Sequence, residues 1–291
     1  MRARWTFAVV SLVSLLFPAW AHAEGERGRQ PVETIPDGKW DKRIVFIAGS
    51  NFFKLGEHEY REGCSVLMDL VRQTKGVTAT LALDWPEKQE TLQGADAVVL
   101  LFDGAAKHPL LNARRRQQFQ ELVDKGAGVV PLHQGVDVPA ELHDAGRGWF
   151  GAVWEKGSSQ RGHWVHRYDT FPEHPITRGV TPFSIDDGYL FKLRFVPKLE
   201  GVTPLLRTVS PAKPVKLQEG NEDVVAWTYE RPKGGRTFAF TGTHLHKSLA
   251  EEGYRRFLTN GILWAARAEV PAGGAPVALD PASLDLPAPQ K

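Results

Sequence analysis

The first half of the chain alternates two rhythms of hydrophobicity. Short apolar runs stopped by glycine or a polar residue read as buried parallel strands: 43–48 (RIVFIA, then Gly49-Ser50), 77–83, and 97–101 (AVVLL, then Phe102-Asp103-Gly104). A fourth run, with Val129, Val130 and Leu132, stops abruptly at His133, followed by Gln134 and Gly135. Between the runs, 59–73 carries Val66, Leu67, Leu70 and Val71 at the 3.6-residue spacing of a buried helix face. A further helix is expected over 112–125, capped by Asn112 and stopped by Gly126 and Gly128. Strands alternating with helices of this length predict βαβ units and a parallel sheet.

The second half changes character. Residues 163–168 (HWVHRY) alternate as a strand, which places His163 and Val165 on one face and Trp164 and His166 on the other. Asp186-Asp187-Gly188-Tyr189 precedes a strand running through Phe195, and 202–209, 224–230 and 237–240 are further strands, the last two joined by a turn at 232–235 (PKGG). The Gly- and Trp-rich stretch 139–159 is expected to cover the strand ends as a loop or lid. A last helix is expected over 249–267. The predicted fold class is α/β: flavodoxin-like, doubly wound, with a mostly parallel sheet and antiparallel additions in the second half.

The chain ends read differently. Arg2 and Arg4, the apolar run 6–17 and Ala21-His22-Ala23 predict a signal peptide over 1–23, cut after Ala23, and a periplasmic or secreted protein. An uncleaved anchor is the alternative, but the apolar run is too short to span a bilayer. Residues 24–41 are expected to be a flexible lead-in, 42–271 the folded unit, and the Pro/Ala-rich 272–291 an extended or disordered tail. The formal net charge is +2, and losing Arg2 and Arg4 would bring it to 0. That leaves no electrostatic footprint for nucleic acid or anionic membrane. The triple Arg114-Arg115-Arg116 reads as a solvated helix face, given Glu121 and Asp124 on the same helix. Cys64 is the only cysteine, so no intramolecular disulfide can form, and it reads as a buried small hydrophobe.

Histidines carry the candidate chemistry. In open parallel α/β sheets, ligands bind beyond the carboxyl ends of the strands. His133 sits at such an end, although a histidine there can also be a core residue bonded to backbone. Thr243-His244-Leu245-His246 follows another strand, and an extended H-x-H projects both imidazoles to one side. His58 follows Glu57 at the start of the first long helix. Neutral imidazole nitrogen suits zinc and related ions, so His58, His133, His244 and His246 are the candidate metal ligands for a divalent metal, zinc first. Glu57, Asp137 and His163 are the candidate acid–base groups. Trp154, Trp164, Gln134 and Tyr189 are the candidate substrate contacts. His108, His143, His166 and His174 are expected to be structural or on the surface. The absence of G-x-S-x-G, and of a cysteine at the elbow, argues against a serine or cysteine hydrolase.

Several segments together resemble the ThuA-like (trehalose-utilisation) family in its exported bacterial form: GEHEYREGC at 56–64, GADAVVLLFDG at 94–104, VVPLHQGVDVP at 129–139, FPEHPITRGVTPFSIDDGYLFKLRF at 171–195, VVAWTYERPKGGRTFAFTGTHLHKSL at 224–249 and FLTNGILWAARAEVP at 257–271. The resemblance implies a fold similar to class I glutamine amidotransferases, in which a nucleophile occupies a strand-to-helix elbow and a histidine arrives on a late strand. Here His133 takes the elbow and His244 with His246 the late position, so amidotransferase chemistry is not expected. The resemblance further implies a small carbohydrate as partner, of trehalose type or its 3-keto derivatives. The chain departs from the family pattern at Phe52-Phe53, where relatives often carry a histidine. It departs again at Gln134, where an aromatic is common, and at Lys247-Ser248-Leu249, where N-W is common.

These features lead to an expected metal-assisted enzyme acting on a disaccharide or keto-sugar, which can also form oligomers. The alternatives are a non-catalytic carbohydrate-binding module of the same fold, marked by a tryptophan-lined cleft without converging imidazoles, and a structural module marked by dispersed histidines and an exposed apolar patch.

Overall fold

The computed structural model describes residues 30–50, 53–211 and 223–286. The expected signal peptide lies outside the described residues, as do Phe52 and the last five residues of the tail.

One seven-stranded sheet, in the order β2-β1-β3-β4-β11-β10-β9, organises the chain. Its strands are β1 (Lys42–Ala48), β2 (Val77–Leu83), β3 (Ala97–Leu101), β4 (Gly128–Pro131), β9 (Val202–Thr208), β10 (Asp223–Glu230) and β11 (Arg236–Phe240). β1 pairs in parallel with β2 and β3, β3 with β4, and β4 with β11. β10 and β9 then extend the sheet antiparallel. The carboxyl ends of β1, β3, β4 and β11 therefore open onto one edge.

Helices cover both faces, which is why the central strands are apolar throughout rather than alternating. α1 (Tyr60–Arg72) and α5 (Glu252–Ala265) pack on one face, with Leu67, Met68, Phe257, Leu258 and Ile262 buried against Ile44, Phe46 and Val99. α3 (Ala113–Asp124) and α4 (His143–Phe150) cover the other, with Phe119, Leu122, Trp149 and Phe150 against Val45, Ile47 and Val98. A short helix, α2 (Gln89–Leu92), precedes β3. Asn112 caps α3, its side chain accepting from the Arg114 and Arg115 amides at 3.0 and 3.1 Å.

Two short ribbons complete the fold: β5 (Ala152–Val153) with β8 (Arg194–Phe195), and β6 (Gln160–Tyr168) with β7 (Phe183–Phe191). The stretch 139–159 is therefore not a lid. It forms α4 and β5, because Gly146 lets that helix lie directly against Val138 and Val153 and bury Trp149 and Phe150. β7 begins at Phe183, so Asp186 and Asp187 lie within a strand rather than before it.

The described residues before β1 and after α5 pack more than their composition suggests. Val32 bridges Leu81, and the Glu33 carboxylate accepts from the Glu87 and Lys88 amides at 2.7 and 2.9 Å and from the Thr91 hydroxyl at 2.8 Å. Past Pro271, Ala275 and Val277 are buried, and the Ala275 amide donates to Asn260 Oδ1 at 2.8 Å. The Gln73 side chain bonds the Ala278 backbone in both directions at 2.8 and 3.0 Å. An extended Pro/Ala segment makes no core of its own, but its free amides and carbonyls can be tied by side chains of the domain. Among the described residues, no helix is long and apolar enough to cross a membrane.

Candidate functional site: three converging imidazoles

Three segments bring histidines to the open edge. His58 ends the loop after β1, and its amide donates to the His244 carbonyl at 2.9 Å. His133 follows β4 at a sharp elbow with φ of 49°. His244 follows β11 in a loop that bridges back, Leu245 to Glu57. His58 (φ 56°), His133 and Thr243 (φ 74°) all hold left-handed backbone without being glycine. Such conformations cost about 1–3 kcal/mol each and concentrate where geometry serves function.

The loop carrying His244 is fixed by a buried carboxylate. Asp187 accepts from the amides of Gly188 (2.9 Å), Thr243 (2.9 Å), His244 (2.8 Å) and Leu245 (3.1 Å). Burial pushes its carboxyl up to about 6 in spite of these donors. Gly188 is a steric requirement, since a Cβ there would run into the His244 ring.

The ring centroids stand 4.8 Å apart for His58–His133, 4.5 Å for His58–His244 and 5.2 Å for His133–His244. One ligand nitrogen from each lies within 4.8 Å of the others. The hydrogen-bond network sets which nitrogens carry protons. His133 Nδ1 contacts the Thr241 carbonyl at 3.0 Å, so it is the donor and Nε2 holds a lone pair. The single Tyr60 hydroxyl proton goes to Asp103 Oδ1 at 2.7 Å, so His58 Nδ1, 2.8 Å from that hydroxyl, must donate to it. When His58 is neutral, its Nε2 is then bare as well. The two Nε2 atoms face each other at 3.1 Å. Two lone pairs at that separation repel unless a proton or a cation lies between them. His244 Nδ1 is buried and has no hydrogen-bond partner among the described residues.

This arrangement fits a metal ion. Two nitrogens bound to one zinc at 2.0–2.1 Å in tetrahedral geometry lie about 3.3 Å apart. Carboxylate and carbonyl groups behind the ligand imidazoles, here Asp103 through Tyr60 and the Thr241 carbonyl, are the usual means of fixing ligand tautomers. Burial, then the neighbouring His58, pushes His133 well below the ordinary histidine range. The same two causes push His244 down to about 4. Both are neutral at pH 7, the form that ligates. Burial raises the Asp103 carboxyl, but the His58 imidazole 3.7 Å away, the hydrogen bond from Tyr60 and the Lys107 charge outweigh it, leaving it below the usual range.

Around the imidazoles, Glu57 Oε2 lies 3.8 Å from His244 Nε2. His163 packs edge-on at 5.5 Å from the His244 ring, and its Nε2 bonds Asp186 Oδ1 at 2.8 Å, with Lys247 3.3 Å from the other carboxylate oxygen. Asp137 is buried and paired with Arg161, whose guanidinium lies 4.3 Å over the Trp154 ring. Burial raises the Asp137 carboxyl more than Arg161 lowers it. Gln134 Oε1 accepts the Gly104 amide at 3.1 Å. Phe53 lies 3.9 Å from His58, ring to ring.

Three candidates are elsewhere. Trp164 and Tyr189 are interior packing residues, not sugar platforms. Their rings pack at a tilt with centroids 4.9 Å apart, and Trp164 donates to Thr208 Oγ1 at 2.9 Å. His246 is not with the other imidazoles: a 3₁₀ turn starts at His246, and its ring lies at a separate cavity against α1 and α5. Tyr60, Asp103, Asp187 and Arg161 were not legible as site residues. The available signals were an aspartate closing the β3 run and an Asp-Asp-Gly inside an otherwise apolar strand.

The family model for ThuA, described as trehalose utilisation, matches residues 43–265. No curated protein matches the chain. Among solved structures, a ThuA-like protein from Parabacteroides merdae aligns with a TM-score of 0.56 at 16% identity, covering 80% of this chain and 92% of that one. Another from Bacteroides uniformis aligns with a TM-score of 0.55 at 13% identity, covering 81% and 95%. These neighbours share the α/β fold, and the match over residues 43–265 places the chain in the ThuA, or trehalose-utilisation, family.

Proposed function

We propose that the protein is an exported enzyme acting on a disaccharide or keto-sugar derivative, with a divalent metal such as zinc held by His58, His133 and His244. The observation that carries the reading is the convergence of the three imidazoles, with His58 and His133 Nε2 3.1 Å apart and His244 beside them. The family description, trehalose utilisation, supports the substrate class. The leader-like stretch 1–23 supports export to the periplasm or beyond.

When bound, the metal would supply Lewis acidity at a sugar carbonyl or hydroxyl. The chain's own groups do the rest. Asp103 through Tyr60, and the Thr241 carbonyl, hold His58 and His133 in the tautomers that leave Nε2 bare. Glu57 and His163 flank His244 from the solvent side, both partly exposed, and either can take a proton from a carbon beside a carbonyl. Asp186 orients His163 for that role. Arg161, paired with Asp137 and spread over Trp154, offers planar donors and an aromatic edge to sugar hydroxyls. The side chains beside the imidazoles are thus suited to proton transfer next to a keto group, as in enolisation, epimerisation or elimination.

The test is proton exchange and turnover of 3-keto-disaccharides in deuterated water, followed by NMR with metal-loaded protein. Exchange or product formation is expected, falling at least about 100-fold in Glu57→Gln or His163→Gln. Metal-loaded protein that neither binds nor exchanges any member of the panel would overturn the enzymatic reading.

A further inference from the structure

The discarded half of the H-x-H leads to a second site. His246 is 5% exposed, and neither ring nitrogen has a hydrogen-bond partner among the described residues. A fully unsatisfied imidazole is costly, because a buried polar group without a partner retains its whole desolvation penalty. His246 lines a cavity of about 20 Å³, together with Thr243, Tyr254, Glu59, Leu67 and Leu101. Thr243 Oγ1 and the Tyr254 hydroxyl, the latter on a side chain with no exposure and facing the Thr243 backbone, are also buried without a well-formed hydrogen bond. Three residues bearing orphaned polar atoms thus line one small void.

The size of the void selects the occupant. A cavity needs about 10–15 Å³ to hold a water molecule, and a buried water typically makes about three hydrogen bonds. The void is too small for a second molecule or an organic ligand. It is also distinct from the imidazole group at the sheet edge, since His246 is not among the nitrogens gathered there.

We propose that this cavity binds one ordered water molecule, bridging the His246 imidazole, the Thr243 hydroxyl and the Tyr254 hydroxyl. The water ties α5, which carries Tyr254, to the left-handed Thr243 immediately before His244. It acts as a fixed part of the scaffold behind that loop. The proposal is independent of whether the sheet edge binds a metal.

The sign of one stability change tests it. Tyr254→Phe removes only the hydroxyl. If that hydroxyl is truly unpartnered, its removal leaves the protein as stable or more stable. If it holds a water, a hydrogen bond is lost and Tm falls by about 2–4 °C. A high-resolution crystal structure of the wild-type protein supplies the second readout. The expected result is one water peak within hydrogen-bonding distance of at least two of the three side chains, together with the fall in Tm. An unchanged or raised Tm overturns the proposal. So does an empty cavity, or a His246 ring turned onto Glu59 or Glu62, whichever way Tm moves.

Discussion

Two buried histidine environments lie near one another at the strand ends, and they are opposites. His108 is 1% exposed, and both of its nitrogens are used within the fold: Nδ1 accepts from the Leu110 amide at 3.2 Å, and Nε2 donates to the Gly135 carbonyl at 3.3 Å. Its ring rests edge-on against Phe102. His58, His133 and His244 are buried to a similar or lesser degree, yet each pair is set so that lone pairs remain after the fold has used what it needs. Burial is therefore not the mark of a functional histidine. The mark is hydrogen-bonding capacity that the fold deliberately orients and leaves unspent, here by Tyr60, Asp103, Thr241 and Asp187.

If that distinction holds, His133→Ala has the largest effect. Metal affinity, measured by competition with a chromophoric chelator, is expected to fall by at least about 100-fold, beyond what loss of a supporting group behind a ligand costs. The metal-free protein is expected to lose some stability, because a void opens and the Thr241 carbonyl loses its donor, offset in part by removal of the facing imidazole. Next, His108→Ala should behave in the reverse manner. It leaves the Leu110 amide and Gly135 carbonyl unpaired and opens a void, so urea unfolding should show a loss of about 2–4 kcal/mol, with metal stoichiometry retained under native conditions.

The pH dependence sharpens the same contrast. Burial pushes His108 down to about 4. Its ordinary value, near 6.5, applies in the unfolded chain, which therefore takes up the proton first as pH falls. The stabilisation is complete above about pH 6.5 and is lost progressively towards pH 4, by about 3 kcal/mol in all. Asp187 works in the opposite direction over much of this window, so the effect is read as a difference. The stability–pH slope between pH 6.5 and 4 should be shallower in His108→Asn than in wild type. The smallest effect expected is that of Tyr60→Phe, which frees His58 to change tautomer. It should weaken metal binding by about 10-fold without removing it.

Much of the scaffold was readable because the sheet's central strands, such as 43–48 and 97–101, must be apolar on both faces and must stop where the chain turns. His133 was readable for the same reason, as a polar residue ending such a run. The partners were not. Asp187 lies in β7, far along the chain from His244, and only the register of the ribbon and the return of the 241–245 loop bring its carboxylate under that loop. His246 could not be told from His244, because local spacing does not reveal that a 3₁₀ turn begins at the second of them. Trp164 and Tyr189 could not be assigned to the interior from sequence, since an aromatic on a strand face looks the same whether that face meets a core or a cleft. The Pro/Ala tail to Leu286 escaped because its anchoring groups, Asn260 and Gln73, belong to other elements.

The central claim is that three specific imidazoles form one metal site, and metal content tests it most directly. The protein, purified without a histidine tag and exposed to divalent ions, should carry about one tightly held ion per chain, in keeping with a mononuclear site. His246→Ala should retain it, and His133→Ala should lose it with folding intact by circular dichroism. A wild-type protein that binds no ion, or an ion that survives His133→Ala but leaves with His246→Ala, would contradict the account.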